Sequence, residues 1–413
     1  MNAQAWMRYR TTVVASCLLA AVGYGCGGGG GGGGGGSSQV STPTPLRSRT
    51  PTVPGGGEGP TPTVTATPTA VHAGGSLIDA IRNAPSGSTL LVAPGSYPAL
   101  TIHGTDLQGP ITLLADASGQ SEVIGAVTIM AGNSVAAVQL IGTEGLTIDG
   151  FTLQGGRQEG LLVLDSPLTT VRNCIVQQSA GDGIFLERSD DTLVFDSLVF
   201  NNAGAGIRVF GSSGVELYNN TLYKNTRSGI SIGTQSEPVD GITLRNNILN
   251  RNSPFGLAVD ASTTNIDGDY DLNTDGYGAN TPAGPNDKTG TTANPQFLAP
   301  DAGDFRLLQP DDACVGGSPA VNAGDPATPS DLVTALTKRT TSADGKLDCE
   351  GFHLCCVGPP PTKNVPGSEL GPGYVDLGYH YPAPIATPTQ APRVTRTPTR
   401  TPTRTPTVTR TPT

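Results

Sequence analysis

Charged and aromatic side chains are both scarce in this chain. Of 413 residues, 14% are charged and 5% aromatic. That excludes the charge-laced surface of a helical bundle and suits a turn-rich β protein, as do the 57 glycines. The one tryptophan, Trp6, lies near the N-terminus, so the body has no tryptophan platform for a sugar ring. Four histidines, His72, His103, His353 and His380, leave little material for histidine-based catalysis. The apolar run from Thr11 to Val22 is too short to cross a bilayer as a stable helix.

Arg8 and Arg10 precede that run and no acid interrupts it, the pattern of an export signal over residues 1–26. Cys26 stands at its end, where a bacterial lipoprotein carries its lipidated cysteine. Lipidation at Cys26 is expected, with an ordinary cleaved secretory peptide as the alternative. Residues 27–74 read as a linker: unbroken glycine from Gly27 to Gly36, then Thr-Pro-Thr units. Gly-rich chain is flexible and Pro-rich chain extended, so together they make a spacer. Residues 384–413 mirror it with Thr-Pro-Thr-Arg units holding Arg393, Arg396, Arg400, Arg404 and Arg410 and no acid. Residues 75–383 carry 33 Asp and Glu against 15 Lys and Arg. A basic tail on an acidic body can touch the body, an anionic cell surface or a polyanionic glycan, or stay a solvated spacer. No nucleic-acid partner is expected, and membrane contact only through the lipid. A monomer is expected.

What the body does contain is a repeat. Gly160, Gly183, Gly206 and Gly229 are each 23 apart, and Gly256 follows 27 later, which fits a four-residue insertion near Gln235 to Pro238. After each glycine comes an alternating apolar strand, Leu161/Val163, Ile184/Leu186, Ile207/Val209, Ile230/Ile232 and Leu257/Val259. Two more apolar columns follow, Val171, Val194, Leu217, Leu244 and Val176, Val199, Leu222, Leu249. Short strands with one apolar face must stack on copies of themselves to bury it. The spacing predicts a parallel β-solenoid with one turn per 23 residues. The pairs Asn173-Cys174, Asp196-Ser197, Asn219-Asn220 and Asn246-Asn247 supply turns between the second and third strands. Stacked in register, these side chains can bond the next turn. Ser179, Asn202, Asn225 and Asn252 form a second polar column, and the glycine after it is expected to supply positive φ.

The glycine column, the asparagine pairs and the three strands together resemble the right-handed parallel β-helix of the pectate-lyase-like superfamily, over residues 75–310. The resemblance implies an all-β solenoid of about nine or ten turns, roughly 45 Å long at ~4.8 Å per turn. Ser76 to Arg82 reads as a short capping helix with Ser76 as N-cap and Asp79 three later. Ser88 to Val92 reads as the first strand, and Pro94-Gly95-Ser96-Tyr97 as a turn. Residues 311–383 resemble the closing region of such proteins, expected to cover the last strand edge, with a Cys-bearing insertion from Ala327 to Gly373. Cys314, Cys349, Cys355 and Cys356 suggest disulfides in an exported protein. Three pairings are possible, and zinc is the rival. Cys174, in a column of small residues, reads as a free structural thiol.

Three site readings follow. In the first, Leu162, Phe185, Arg208, Ser231 and Leu164, Glu187, Phe210, Gly233 point outward along the first strands, with Asp182 and Arg227 on the turns into them and Arg188 one turn from Asp165. In the resembled enzymes this surface binds glycan, and a basic side chain removes a proton next to a neutralised carboxylate. Glu187, Arg208, Lys224 and Arg227 are the catalytic candidates, and Asp182, Phe185 and Phe210 the ligand-binding ones. The second reading is glycan binding by outward Arg172, Phe195, Tyr218, Arg245 and Gln177, Phe200, Tyr223, Asn250. The third is calcium at Asp271, Asn273 and Asp275, where Asp-x-Asn-x-Asp-Gly places alternate oxygens, though Pro282 stands where a Glu would complete the loop. Against catalysis, Asn273-Thr274-Asp275 matches one polygalacturonase motif but its Gly-His-Gly and Arg-Ile-Lys are missing. The Asp-Pro-His of mannuronan epimerases and the pectate-lyase patterns are also absent. The expected function is an exported, surface-displayed β-helix protein with a binding or structural role toward polysaccharide. The alternative is a polysaccharide lyase acting on an acidic polysaccharide.

Overall fold

The computed structural model describes residues 69–71, 75–116, 126–281, 283–290, 293–308, 318–320, 323–336, 339–340, 377–378 and 381–382. The export signal, Cys26, the Gly-rich and Thr/Pro-rich ends and Cys314, Cys349, Cys355 and Cys356 lie outside them.

Each repeat folds as three short strands, such as Leu161–Leu164, Thr170–Arg172 and Ile175–Gln177. Successive copies pair in parallel and build three sheets, here the first, second and third faces. Leu161 lies opposite Ile184, Val171 opposite Val194 and Val176 opposite Val199. The three faces hold seven, nine and nine strands. Eight steps at ~4.8 Å give a rod about 38 Å long, a little shorter than expected. The insertion sits between Ile230–Ile232 and Asp240–Arg245: Ile207 is opposite Ile230, but Val215 is opposite Ile242. The inward columns are the core, with Ile207, Val209, Leu217 and Leu222 each 0% exposed. Burying such a side chain stabilises the rod by about 1.5–3 kcal/mol.

At the N-terminal end, helix α1 (Leu77–Arg82) buries Leu77 and Ile81 against the first turns, and the Ser76 hydroxyl accepts from the Asp79 amide at 3.3 Å. Two expectations need correction. The rod begins before α1, with Thr69–Val71 paired to Leu90–Val92. Gly95–Pro98 is a strand paired to Val127–Met130, because Tyr97 turns inward, 5% exposed, and its hydroxyl donates to the Ala93 carbonyl at 2.8 Å.

All three corners follow one rule. A residue in the left-handed region is followed by a small polar residue whose side chain accepts the amide of the turn before. Asn173, Asp196, Asn219 and Asn246 have φ of 56, 48, 53 and 63°. After them, the Cys174 amide donates to Ser197 Oγ (3.2 Å), Ser197 to Asn220 Oδ1 (3.0 Å), Asn220 to Asn247 Oδ1 (3.0 Å) and Asn247 to Asp271 Oδ1 (2.7 Å). The ladder from Ser179 runs through Asn202, Asn225 and Asn252 to Asp275 in the same way. A third ladder, not singled out from the sequence, links Thr143, Ser166, Ser189 and Ser212. Asp165, Arg188 and Gly211 precede it at φ of 48, 47 and 51°. Each rung satisfies a buried amide that would otherwise cost about 1–3 kcal/mol. Cys174 is a free buried thiol in this stack, its pKa pushed up to about 12 mainly by burial.

The repeat glycines have a different job from the one expected. None of Gly160, Gly183, Gly206 and Gly229 has positive φ. They are small because the next turn comes too close. A Cβ on Gly206 would lie 2.7 Å from the Gly229 carbonyl oxygen and 2.7 Å from Leu222 Cδ2. Gly206→Ala should therefore destabilise the rod by about 1–3 kcal/mol through overpacking. Urea unfolding checks this, and an unchanged midpoint would reject close approach as the reason.

At the C-terminal end the ladder side chain is a carboxylate. Burial, then repulsion from Asp287, pushes the Asp271 pKa up to about 8. The folded value is above the unfolded one. Stability from this group is thus fully present below the unfolded pKa and is lost as pH rises through about 8. Asp271→Asn keeps the accepting oxygen and removes the charge. It should raise the melting temperature at about pH 9 and leave it nearly unchanged at about pH 4, a difference on the order of 5 kcal/mol. Parallel pH dependence in the two proteins would contradict this.

Candidate functional site

The first-face candidates do share one sheet, since Phe185 pairs with Arg208 and Glu187 with Phe210. They do not form an open groove. Leu162, Phe185, Phe210 and Leu164 are 1, 4, 7 and 8% exposed, and together with Ala136 they form one apolar cluster pointing away from the rod axis. Phe185 and Phe210 meet edge to face at 5.3 Å, and the Arg208 guanidinium sits 5.3 Å from the Phe210 ring centre.

The charged candidates around this cluster are held by neighbours. Arg208 Nε is 3.2 Å from Asp182 Oδ2, an ion pair whose angle falls short of a hydrogen bond. Asp182 Oδ1 accepts from the Ala205 amide at 2.7 Å. Arg188 donates to Glu187 Oε1 at 2.5 Å and to Asp165 Oδ1 at 2.7 Å, which confirms the stacking of Arg188 on Asp165. These two carboxylates keep the Arg188 pKa raised, Asp165 through its hydrogen bond most of all. Arg227 is exposed on its turn, with its amide donating to the Gly204 carbonyl at 2.9 Å. The third face brings together what the first does not. Lys224 has φ of 51°, so it is a corner residue as well as a charge. Its Nζ lies 2.5 Å from Asp301 Oδ1, and the Tyr223 hydroxyl donates to the same oxygen at 3.0 Å. Arg251 Nη1 donates to the Tyr223 oxygen at 2.8 Å and lies 3.7 Å from Asp301 Oδ2. Burial first, and Asp301 second, pushes the Tyr223 pKa up to about 12, so the phenol stays protonated.

The outward aromatics of the second and third faces are not exposed platforms. Phe195 and Tyr218 are 1 and 2% exposed beneath helix α2 (Ser330–Leu336), which sets Leu332 and Leu336 on them. Phe200 and Tyr223 are 8 and 1% exposed beneath the hairpin of Phe297–Ala299 and Asp304–Leu307, with Phe305 centred 5.2 and 5.1 Å from them. The described part of the closing region thus lies along the sides of the rod. Asn246 pins it: the Gly378 amide donates to the Asn246 carbonyl and the Asp325 amide to Asn246 Oδ1, both at 2.7 Å. Arg245 adds ion pairs to Asp267 and Asp325. Sequence alternation identified these aromatics as outward but had no signal for a cover 80 to 140 residues away.

The 271–276 loop serves the ladders. Asp271 Oδ1 accepts from the amide and side chain of Asn247, and Asp275 Oδ2 from those of Asn252. Asp275 Oδ1 accepts from the Arg251 amide, and Asn273 Oδ1 from the Asp275 amide. Among the described residues no three His, Cys, Asp or Glu side chains come together as a metal site.

Residues 117–270 match the family described as the right-handed β-helix region. No curated protein matches the chain. Solved structures are similar at low identity. A variant of a periplasmic alginate epimerase is 17% identical, with a TM-score of 0.33 over 43% of this chain and 49% of that one. The match therefore spans about half the epimerase's length. An alginate lyase from a Paenibacillus species is 14% identical, with a TM-score of 0.28 over 44% and 72%. A pectate lyase is 13% identical, with a TM-score of 0.29 over 61% and 86%. The match over residues 117–270 and the three stacked parallel faces agree, and the described body of the chain is a right-handed parallel β-helix.

Proposed function

We propose that this protein is an exported rod, displayed at the cell exterior on its Thr/Pro-rich spacer, that binds or presents and does not turn over a substrate. One observation carries the reading. Each charged candidate that the sequence offered for proton transfer and that lies on a face is held by an internal ion pair: Glu187 by Arg188, Arg208 by Asp182, Lys224 by Asp301. A general base needs a free lone pair within reach of its proton. Of these pairs, Arg208–Asp182 joins neighbouring turns and Lys224–Asp301 joins a turn to the hairpin.

Polysaccharide is the partner class the remaining surface suits. Lys224, Arg251 and Asp301 are 41, 56 and 63% exposed beside the Tyr223 ring, a rim of donors and acceptors suited to sugar hydroxyls and carboxylates. Lipidation at Cys26 would hold the rod at a membrane, with the glycine and Thr-Pro-Thr segments as spacer.

Two measurements test this. Cys26→Ser should move the protein from the membrane fraction into the soluble exported fraction, and equal partitioning with wild type would reject the anchor. In a panel of alginate, pectate and glycosaminoglycans, no ultraviolet-absorbing unsaturated sugar ends should form. Any bound acidic glycan should be released by salt, and Arg251→Ala should weaken it roughly tenfold, the loss of one charge-assisted hydrogen bond. Steady release of unsaturated ends would establish a lyase and overturn the reading.

A further inference from the structure

On the third face three donors converge on one carboxylate. Lys224 Nζ and the Tyr223 hydroxyl both donate to Asp301 Oδ1, at 2.5 and 3.0 Å. Arg251 Nη1 donates to the Tyr223 oxygen at 2.8 Å and lies 3.7 Å from Asp301 Oδ2, beyond hydrogen-bond distance. Asp301 therefore fills only part of what the donors offer. Lys224 holds one of its oxygens, and the guanidinium fork, which suits both oxygens of one carboxylate, is turned to the phenol instead. The occupant comes from outside the repeat. Asp301 sits in the 3-10 turn Pro300–Ala302 at the tip of the hairpin, 63% exposed, between strands that Phe297 and Phe305 hold against Tyr223. Exposed pairs of this kind are worth little and exchange readily with a competing carboxylate. The two cations are not there for the turn. Gln178, Asn201, Lys224 and Arg251 are successive residues of one corner column, with φ of 61, 55, 51 and 59°. Asn is favoured in this backbone region, and Lys and Arg are not. All four are exposed, so two amides continue the line of the two cations along the rod at steps of ~4.8 Å.

We propose that Tyr223, Lys224 and Arg251 form a carboxylate site for an acidic sugar, and that Asp301 is its internal occupant, displaced when the ligand binds. The inference rests on the polysaccharide reading above for the class of polymer, and adds which group the rim takes and what holds it closed. The ligand carboxylate takes the Lys224 ammonium and the Arg251 fork, and ring hydroxyls take the amides of Asn201 and Gln178. A uronate unit has both parts, one carboxylate beside several hydroxyls. A neutral sugar has nothing with which to displace Asp301, and a bare carboxylate has nothing for the amides. The Tyr223 hydroxyl donates to either carboxylate, because burial keeps the phenol protonated. The Lys224 hydrogen bond, before any other contact, holds the Asp301 pKa below its ordinary value, so near neutral pH the occupant carries the same charge as the ligand that replaces it.

Amine labelling of the full chain tests this, read at Lys224 by mass spectrometry with Lys288, at the end of the rod, as internal reference. Lys224 should label slowly in the wild type, and Asp301→Asn, a change at an exposed side chain, should raise its rate about fivefold. Galacturonate should return Lys224 of this variant to the slow rate, and galactose should not. Acetate should do so only at about tenfold higher concentration, lacking the hydroxyls. Pectate should bind Asp301→Asn about tenfold more tightly than wild type, and Arg251→Gln added to that variant should remove the gain. Asp301→Ala should behave as Asp301→Asn does. Lys224 labelling that both Asp301 variants leave unchanged would overturn Asp301 as the occupant. Labelling of Asp301→Asn that galacturonate leaves unchanged would overturn the site, whichever polymers bind. Equal potency of acetate and galacturonate would overturn the assignment to a sugar acid. Equal binding of pectate to wild type and Asp301→Asn would overturn displacement and leave the polysaccharide reading standing. Protection by galacturonate with no polymer of the panel bound would uphold the site and overturn the polysaccharide reading.

Discussion

At each corner of this rod the chain turns sharply, and the amide after the turn points along the rod toward the next copy of the corner. No strand is there to receive it. The side chain 23 residues on supplies the acceptor, Ser197 for Cys174 and Asn202 for Ser179. That requirement locks the period. A turn one residue longer would put the acceptor out of line and would flip the strand that follows, sending Ile207 or Val209 into solvent. The insertion before Asp240 shows how length is tolerated. It lies away from the two asparagine ladders and closes on itself through a bridge between Thr234 and Glu237, after which Asn220 meets Asn247 at the usual distance.

The same constraint decides what the surface residues can do. A corner needs a left-handed residue, and Arg188 and Lys224 occupy two of these positions. Their charges then pair with what the stacking brings close, Asp165 one turn away and Asp301 from the hairpin. Such exposed pairs contribute little stability each, about 0–1 kcal/mol. Polar residues in this rod serve the stack first. Asp271 and Asp275, which by spacing look like ligands of a hard cation, are the last rungs of two ladders.

Much of this was readable in the sequence, and the rest was not, for definable reasons. The three apolar columns were legible because alternation and a 23-residue repeat coincide there, and Val171, Val194, Leu217 and Leu244 stack as that coincidence requires. The Asn corners were legible because Asn is common in left-handed turns. The third ladder was not, since Ser166, Ser189 and Ser212 look like ordinary loop serines, although their own spacing of 23 was the available signal. Glycine told of a constraint but not of which one: a left-handed turn and a close approach both exclude a side chain. The placement of Phe200 and Tyr223 as binding aromatics failed because alternation reports direction and not cover. Phe305 comes from a region without the period, so nothing local announces that it lands on them.

The claim that side-chain ladders hold the register is tested most directly by native-state hydrogen exchange at single-residue resolution. The amides of Ser197, Asn202, Asn220 and Asn225 lie outside every strand-to-strand backbone bond and donate only to side chains one turn on. If the ladders carry the stack, these amides exchange only with the opening that exposes the strand amides of Val194 and Val199, at the same free energy. Exchange of the four corner amides by fast local fluctuation, while Val194 and Val199 stay protected, would show that the strands hold the rod without them.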